Sequence, residues 1–126
     1  MHVPRILVID DSELTLSITQ QVLEDEGFDV DVAGTVAELD AHSLRSPPDL
    51  FLVDVKMPET LGDELVGRIR RAATKPVPIL LLSGLPDDEL AKRAAGSGAT
   101  GFISKLAGAE AMVALVRHLI STDTTA

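Results

Sequence analysis

Three unbroken apolar runs constrain this chain more than any other feature: Ile6-Leu7-Val8-Ile9, Leu50-Phe51-Leu52-Val53 and Ile79-Leu80-Leu81-Leu82. Runs this short, with no polar residue every second position, suit strands buried on both faces. Each ends abruptly on a polar residue. Asp10 and Asp11 close the first, Asp54 the second, and Ser83-Gly84 the third. Pro58 cannot donate to a ladder, so the middle strand must stop before it. Asp54 therefore stands where a buried strand opens into a loop.

The segments between these runs have helical spacing. Ser12 offers an N-cap and Glu13 favours a helix start, with Leu14, Ile18, Val22 and Leu23 as the expected apolar face and Gly27 as the stop. Phe28-Asp29-Val30-Asp31-Val32 alternates apolar with acidic, which marks a strand with one wet face at a sheet edge. Thr35 caps a short helix to about Leu44, and Ser46-Pro47-Pro48 breaks it. A helix bearing Leu65, Val66, Ile69 and Ala73 follows Gly62. Asp87, Asp88 and Glu89 crowd the first turn of the next, where the helix dipole favours acids. Gly101-Phe102-Ile103-Ser104 forms a brief fifth strand, and Met112, Leu115, Val116 and Leu119 mark a last helix over about 109–120. Strand and helix alternate throughout, which specifies an α/β fold: a doubly wound, five-stranded parallel sheet with helices on both faces. The wet second strand and the short fifth strand suit the two edges. The flavodoxin-like strand order 2-1-3-4-5 satisfies this.

At 126 residues the chain is read as one domain over 1–120, with a polar tail over 121–126. The net charge of −9 argues against a nucleic acid or an anionic membrane as partner. There is no cysteine, hence no disulfide or thiolate chemistry, and no apolar run reaches membrane-spanning length. A cytoplasmic protein is expected. His2, His42 and His118 share no ligand-like spacing and are read as surface residues.

In a parallel sheet the strand ends carrying Asp10, Asp11, Asp54, Ser83 and Lys105 all lie on one edge. Ligands bind there, outside the carboxyl ends, near the switch point between the first and third strands. Taken singly, Asp10 and Asp11 suit helix caps, Ser83 a turn and Lys105 a solvated surface. Together they place three carboxylates, a hydroxyl and an ammonium in one cleft. Three carboxylates repel one another, and a divalent cation removes the repulsion. Magnesium prefers hard oxygens and takes one or two protein carboxylates, keeping waters and phosphate oxygens for the rest. In such a site Asp54 is the expected nucleophile toward a phosphoryl group, with Lys105 and Ser83 meeting phosphoryl oxygens.

These residues resemble a known family over nearly the whole chain, the receiver domains of two-component response regulators. The carriers are Asp10-Asp11 after the first strand, Asp54 with Met57, Pro58 and Gly62, Ser83-Gly84, and Lys105 after the fifth strand. The resemblance implies a phosphorylation-controlled switch, not an enzyme, that takes a phosphoryl group on Asp54 from a sensor histidine kinase or phosphotransfer protein. It implies Mg2+ held by Asp11, Asp54 and the backbone carbonyl of Lys56, with Asp10 acting mainly through water. It implies Ser83 and Phe102 as switch residues, and output to a protein target through the fourth helix, fifth strand and last helix.

The chain departs from the family pattern in places. Leu106 stands where proline usually follows the lysine, so a trans Lys105–Leu106 bond is expected, a cis non-proline bond costing about 2.5–4 kcal/mol. Phe102 replaces the commoner tyrosine. Without a hydroxyl to hold it outside, its ring is expected to turn inward in the resting protein. Lys56 and Leu85 add a cation and an apolar side chain near the mouth of the site. Two other functions fit parts of the pattern. A degenerate receiver would bind partners without being phosphorylated. A phosphohydrolase of the haloacid-dehalogenase type would also use an aspartyl phosphate, but Asp54-Val55-Lys56 lacks that family's second acid.

Overall fold

The computed structural model describes residues 3–45, 47–55, 62–73, 76–84 and 87–124. Strands β1 (Arg5–Ile9), β2 (Asp29–Ala33), β3 (Leu50–Asp54), β4 (Ile79–Ser83) and β5 (Gly101–Ser104) alternate with helices α1 (Glu13–Asp25), α2 (Val36–Arg45), α3 (Gly62–Ala72), α4 (Asp87–Ser97) and α5 (Ala109–Thr124). A single 3-10 turn, Lys105–Ala107, joins β5 to α5. The sheet is parallel, in the order β2-β1-β3-β4-β5. The doubly wound reading therefore holds, with β2 and β5 at the edges.

The unbroken runs are buried on both faces, and successive residues divide between two cores. Leu7, Ile9, Phe51, Val53, Ile79 and Leu81 face a cluster closed by Leu39 of α2, Leu65, Val66 and Ile69 of α3, and Leu90 and Ala94 of α4. Ile6, Val8, Leu50, Leu52, Leu80 and Leu82 face the other, closed by Leu16 and Leu23 of α1 and by Met112, Val113, Val116 and Ile120 of α5. So α1 and α5 cover one face, and α2, α3 and α4 the other.

The helix limits follow local chemistry. Ser12 caps α1 by accepting from the Thr15 amide (3.2 Å), and Gly27 leaves the helix at φ 94°. Thr35 accepts from the Glu38 amide (3.1 Å) at the start of α2. Two expectations need correction. In α1 the buried face is Leu16, Thr19 and Leu23, whereas Leu14 and Ile18 are 71% and 56% exposed. Both stripes have helical spacing, and the core took the one that admits a threonine. Helix α5 continues past Ile120 to Thr124, so most of the expected tail is helical. Its polarity does not stop it, because helix propagation needs only backbone hydrogen bonds once the apolar turns are docked.

Candidate functional site

The register of the sheet assembles the site. Ile9 pairs with Val53 and Asp54 with Leu82, so Asp10 and Asp54 stand level on adjacent strands. Ser83 lies one residue further along β4 and pairs with Ser104 at the end of β5, immediately before Lys105. Asp10, Asp11 and Asp54 each offer a carboxylate oxygen, and these oxygens all lie within 4.8 Å of one another. Asp10, Asp54 and Ser83 are 1%, 5% and 2% exposed, against an exposed Asp11. Burying two carboxylates side by side is costly unless positive charge and donors face them.

The chain supplies some of both. The Lys105 ammonium donates to Asp10 Oδ2 at 3.2 Å and lies 3.7 Å from Asp54 Oδ1. The Ser12 amide donates to Asp10 Oδ1 at 2.9 Å. Asp10 is thus held from both oxygens, by the start of α1 and by the turn after β5. It is a fixed wall of the site. Asp11 is solvent-facing and completes the carboxylate set from the open side.

Lys105 reaches this position from the 3-10 turn. The Ser104 hydroxyl accepts from the Leu106 amide at 3.0 Å, and Gly108 leaves the turn at φ 93°. No described peptide bond is cis, so Lys105–Leu106 is trans, as the missing proline predicts. A proline at 106 would have no N–H for the Ser104 hydroxyl. The leucine side chain itself is 88% exposed.

Phe102 does not turn inward. Its ring is 37% exposed and belongs to neither core cluster. It pairs with Leu81 and so faces the α4 side of the sheet, where Leu81, Leu90 and Ala94 already pack together. Burial favours a phenyl ring only where a space exists to receive it, and the expectation of an inward ring left out that condition. Lys56, Met57, Pro58, Leu85 and His2 lie outside the described residues. His42 and His118 do not join the carboxylate group.

Sequence reasoning missed a groove of about 250 Å³ beside the site, between α1 and the start of α5. Ile18, Val22 and Met112 supply its apolar wall, and Ser104 and Lys105 its end toward the carboxylates. The signal was present in Ile18, an apolar residue off the buried stripe of α1.

The donor set fits a hard divalent cation: carboxylate oxygens from two adjacent strand ends, in reach of one another, with no nitrogen or sulfur ligand among them. Among the described residues, no helix is long and apolar enough to cross a membrane.

Comparison with known proteins agrees with this geometry. The family model of the response regulator receiver domain matches residues 6–117. The DNA-binding dual master transcriptional regulator RpaA of Synechocystis is 32% identical over 118 residues, which are 93% of this chain and 49% of that protein. A protein-glutamate methylesterase/protein-glutamine glutaminase of Halobacterium salinarum is 36% identical over 95% of this chain and 38% of its own length. The chain thus spans about half or less of these curated relatives. Among solved structures, the chemotaxis response regulator CheY4 of Vibrio cholerae superposes with a TM-score of 0.84 at 27% identity, covering 94% of this chain and 99% of that one.

Proposed function

The chain belongs to the response regulator receiver domain family, and from that premise we propose that Asp54 is its phosphoacceptor. The observation that carries this reading is the placement of Asp54. It is a buried carboxylate at the end of a central strand, with an ammonium 3.7 Å away and two further carboxylates within 4.8 Å. An oxygen of Asp54 attacks phosphorus, and the bond from phosphorus to the donor's imidazole nitrogen breaks. The electron pair leaves with the donor, and Asp54 carries an acyl phosphate. Phosphoryl transfer needs little covalent help from a protein, so positioning and charge neutralisation decide the rate. Lys105 is placed to meet one phosphoryl oxygen, and Ser83 to donate to another once its strand end shifts toward Asp54.

Magnesium is the ion this donor set favours, with Asp11 and Asp54 as ligands, Asp10 acting through water, and the Lys56 carbonyl as a further ligand. When bound, it neutralises charge on the carboxylates and on the phosphoryl oxygens. Asp10 then serves chiefly to hold Lys105 and the start of α1 in register.

In this reading the chain is a switch and not an enzyme acting on a separate substrate. Most of the methylesterase relative lies outside the matched stretch. The phosphoryl donor is a sensor histidine kinase or phosphotransfer protein. Residues 1–120 form the receiver unit, and the response leaves through the face of α4, β5 and α5, with Ser83 and Phe102 as its moving parts. The net charge of −9 makes nucleic acid a poor direct partner for this unit, and a sequence without cysteine fits a reducing, cytoplasmic setting. Retention of Asp10, Asp11, Asp54, Ser83 and Lys105 together favours a phosphorylated over a degenerate receiver.

Incubation with acetyl phosphate and Mg2+, followed by intact mass, tests this. One phosphoryl adduct is expected on the wild type, and none on Asp54→Asn or after chelation. An unmodified wild-type protein with acetyl phosphate and with every kinase tried would move the assignment to the degenerate receiver.

A further inference from the structure

Helix α4 has two unlike ends. Its first residue, Asp87, follows closely on Ser83-Gly84 at the candidate site. Its last turn contains Gly96, which weakens a helix interior, and no basic residue to offset the carbonyl end of the dipole. The cation at that end comes from a different helix. Arg70, in the last turn of α3, donates to the Val77 carbonyl, to the Gly98 carbonyl (3.2 Å) and to the Thr100 hydroxyl (3.1 Å). The same hydroxyl accepts from the Ile79 amide (2.9 Å), and the Thr100 amide donates to the Ile79 carbonyl (2.8 Å). One half-buried guanidinium therefore joins the end of α3, the entries to β4 and β5, and the exit of α4. The planar fork of arginine carries five N–H donors on two sides and so meets these three diverging acceptors at once.

We infer that Arg70 is a positioning residue that fixes the far end of α4, so that the helix swings from its Ser83 end about Gly98. The inference rests on the proposed function, since the drive for the swing is Ser83 answering a phosphoryl group on Asp54. Among the described residues of α4, Leu90 and Ala94 alone are buried in the core, so the packed contact that resists a swing is small. A helix held at both ends would transmit nothing from Ser83. A helix held at neither would move without a defined direction. The tether at the opposite pole from the phosphoryl group turns a small shift at Ser83 into a tilt of the face that α4 shares with β5. Gly98, at φ 86°, has open space where a Cβ would lie and suits a pivot.

The test compares wild type, Arg70→Met and Arg71→Met by amide hydrogen exchange and by amide chemical shifts before and after phosphorylation with acetyl phosphate and Mg2+. Arg71 is the control, an exposed cation in the same turn that takes no part in the tether. In the resting protein, Arg70→Met should speed exchange of the Ile79 and Thr100 amides on the order of tenfold, with Arg71→Met unchanged. Phosphoryl uptake should be the same in all three. In wild type the shift changes on phosphorylation should be largest near Leu90 and fade toward Gly98. In Arg70→Met they should run the length of α4, an effect that simple loss of stability does not produce. If Arg70→Met fails to fold, Arg70→Lys, which keeps the charge but lacks the guanidinium fork that spans the Val77 and Gly98 carbonyls and the Thr100 hydroxyl, serves in its place. Unchanged exchange overturns the tether. Changes spread evenly along α4 in wild type, or a gradient that survives in Arg70→Met, overturn the swing. Failure of wild type to take up phosphoryl removes the proposed function and the swing with it, while the exchange measurement still decides the tether.

Discussion

The two poles of the sheet use charge in opposite ways. At the amino ends of the strands, cations meet acids or carbonyls as they come. Arg5 of β1 reaches Asp29 of β2 at 3.0 Å. Arg117 of α5 reaches Glu26 at 2.6 Å and lies over the Phe28 ring at 5.4 Å. Arg70 closes the α3–α4 corner. At the carboxyl ends, three carboxylates crowd together and the described chain sets one ammonium among them. The first pole is arranged for the folded state. The second holds, among the described residues, more carboxylates than cations, an excess that an added divalent cation would offset. A domain this size carries a margin of roughly 5–15 kcal/mol, so the paired pole and the core must offset what the site costs.

The largest break in this comparison comes from the core, which serves both poles. Leu52 is fully buried at the centre of β3, between β1 and β4. Leu52→Ala should cost about 2–5 kcal/mol, the range for deleting a buried leucine side chain. Denaturant unfolding with and without Mg2+ checks it. The loss should be the same in both conditions, because the cavity lies away from the carboxylates. A loss that changes with Mg2+ would mean the core and the site are not separable.

A smaller break isolates the carboxyl pole. Lys105→Met leaves buried Asp10 and Asp54 facing each other without their ammonium. Removing one partner of a buried pair costs several kcal/mol, but Lys105 is a third exposed and water screens it. The expected loss in metal-free protein is about 1–2 kcal/mol. Saturating Mg2+ supplies the missing positive charge and should narrow the gap between wild type and variant. A gap that widens with Mg2+ would show that Lys105 and the metal cooperate and do not substitute for each other. The same variant should slow phosphoryl uptake by about 10²-fold, the scale for losing one fixed donor to a charged transition state.

The fold was legible because its signals were redundant. The apolar runs of β1, β3 and β4 have one physical reading, and the polar residues at their ends had to share an edge once the sheet was parallel. The carboxylate cluster and Lys105 were legible for the same reason. What escaped was decided by packing between elements. Two stripes on α1 had helical spacing, and only docking against β1 and β2 selected Leu16 over Leu14. The groove beside Ile18 and the Arg70 tether each join residues distant in sequence, with no local pattern to announce them.

Phe102 gives the smallest effect and the sharpest test, because the comparison narrows there to two neighbours on one strand. Ile103 faces the α1/α5 side and is 8% exposed, packed with Leu82 and Met112. Phe102 faces the α4 side and stands partly in solvent. Truncation should therefore invert the order expected from side-chain size. Ile103→Ala should cost about 2–4 kcal/mol, and Phe102→Ala about 1 kcal/mol or less, because a ring with this much exposure leaves little cavity behind. An inward ring would cost about 3–5 kcal/mol when truncated. Unfolding of both variants in the resting protein separates the two cases, and NMR contacts of the ring give an independent reading. On phosphorylation, movement of Ser83 and the start of α4 should open room beside Leu81. The cost of Phe102→Ala should then rise in the phosphorylated protein while that of Ile103→Ala stays fixed. A Phe102→Ala cost already near that of a buried phenylalanine before phosphorylation would place the ring inside at rest, and Phe102 could not then report the state of Asp54.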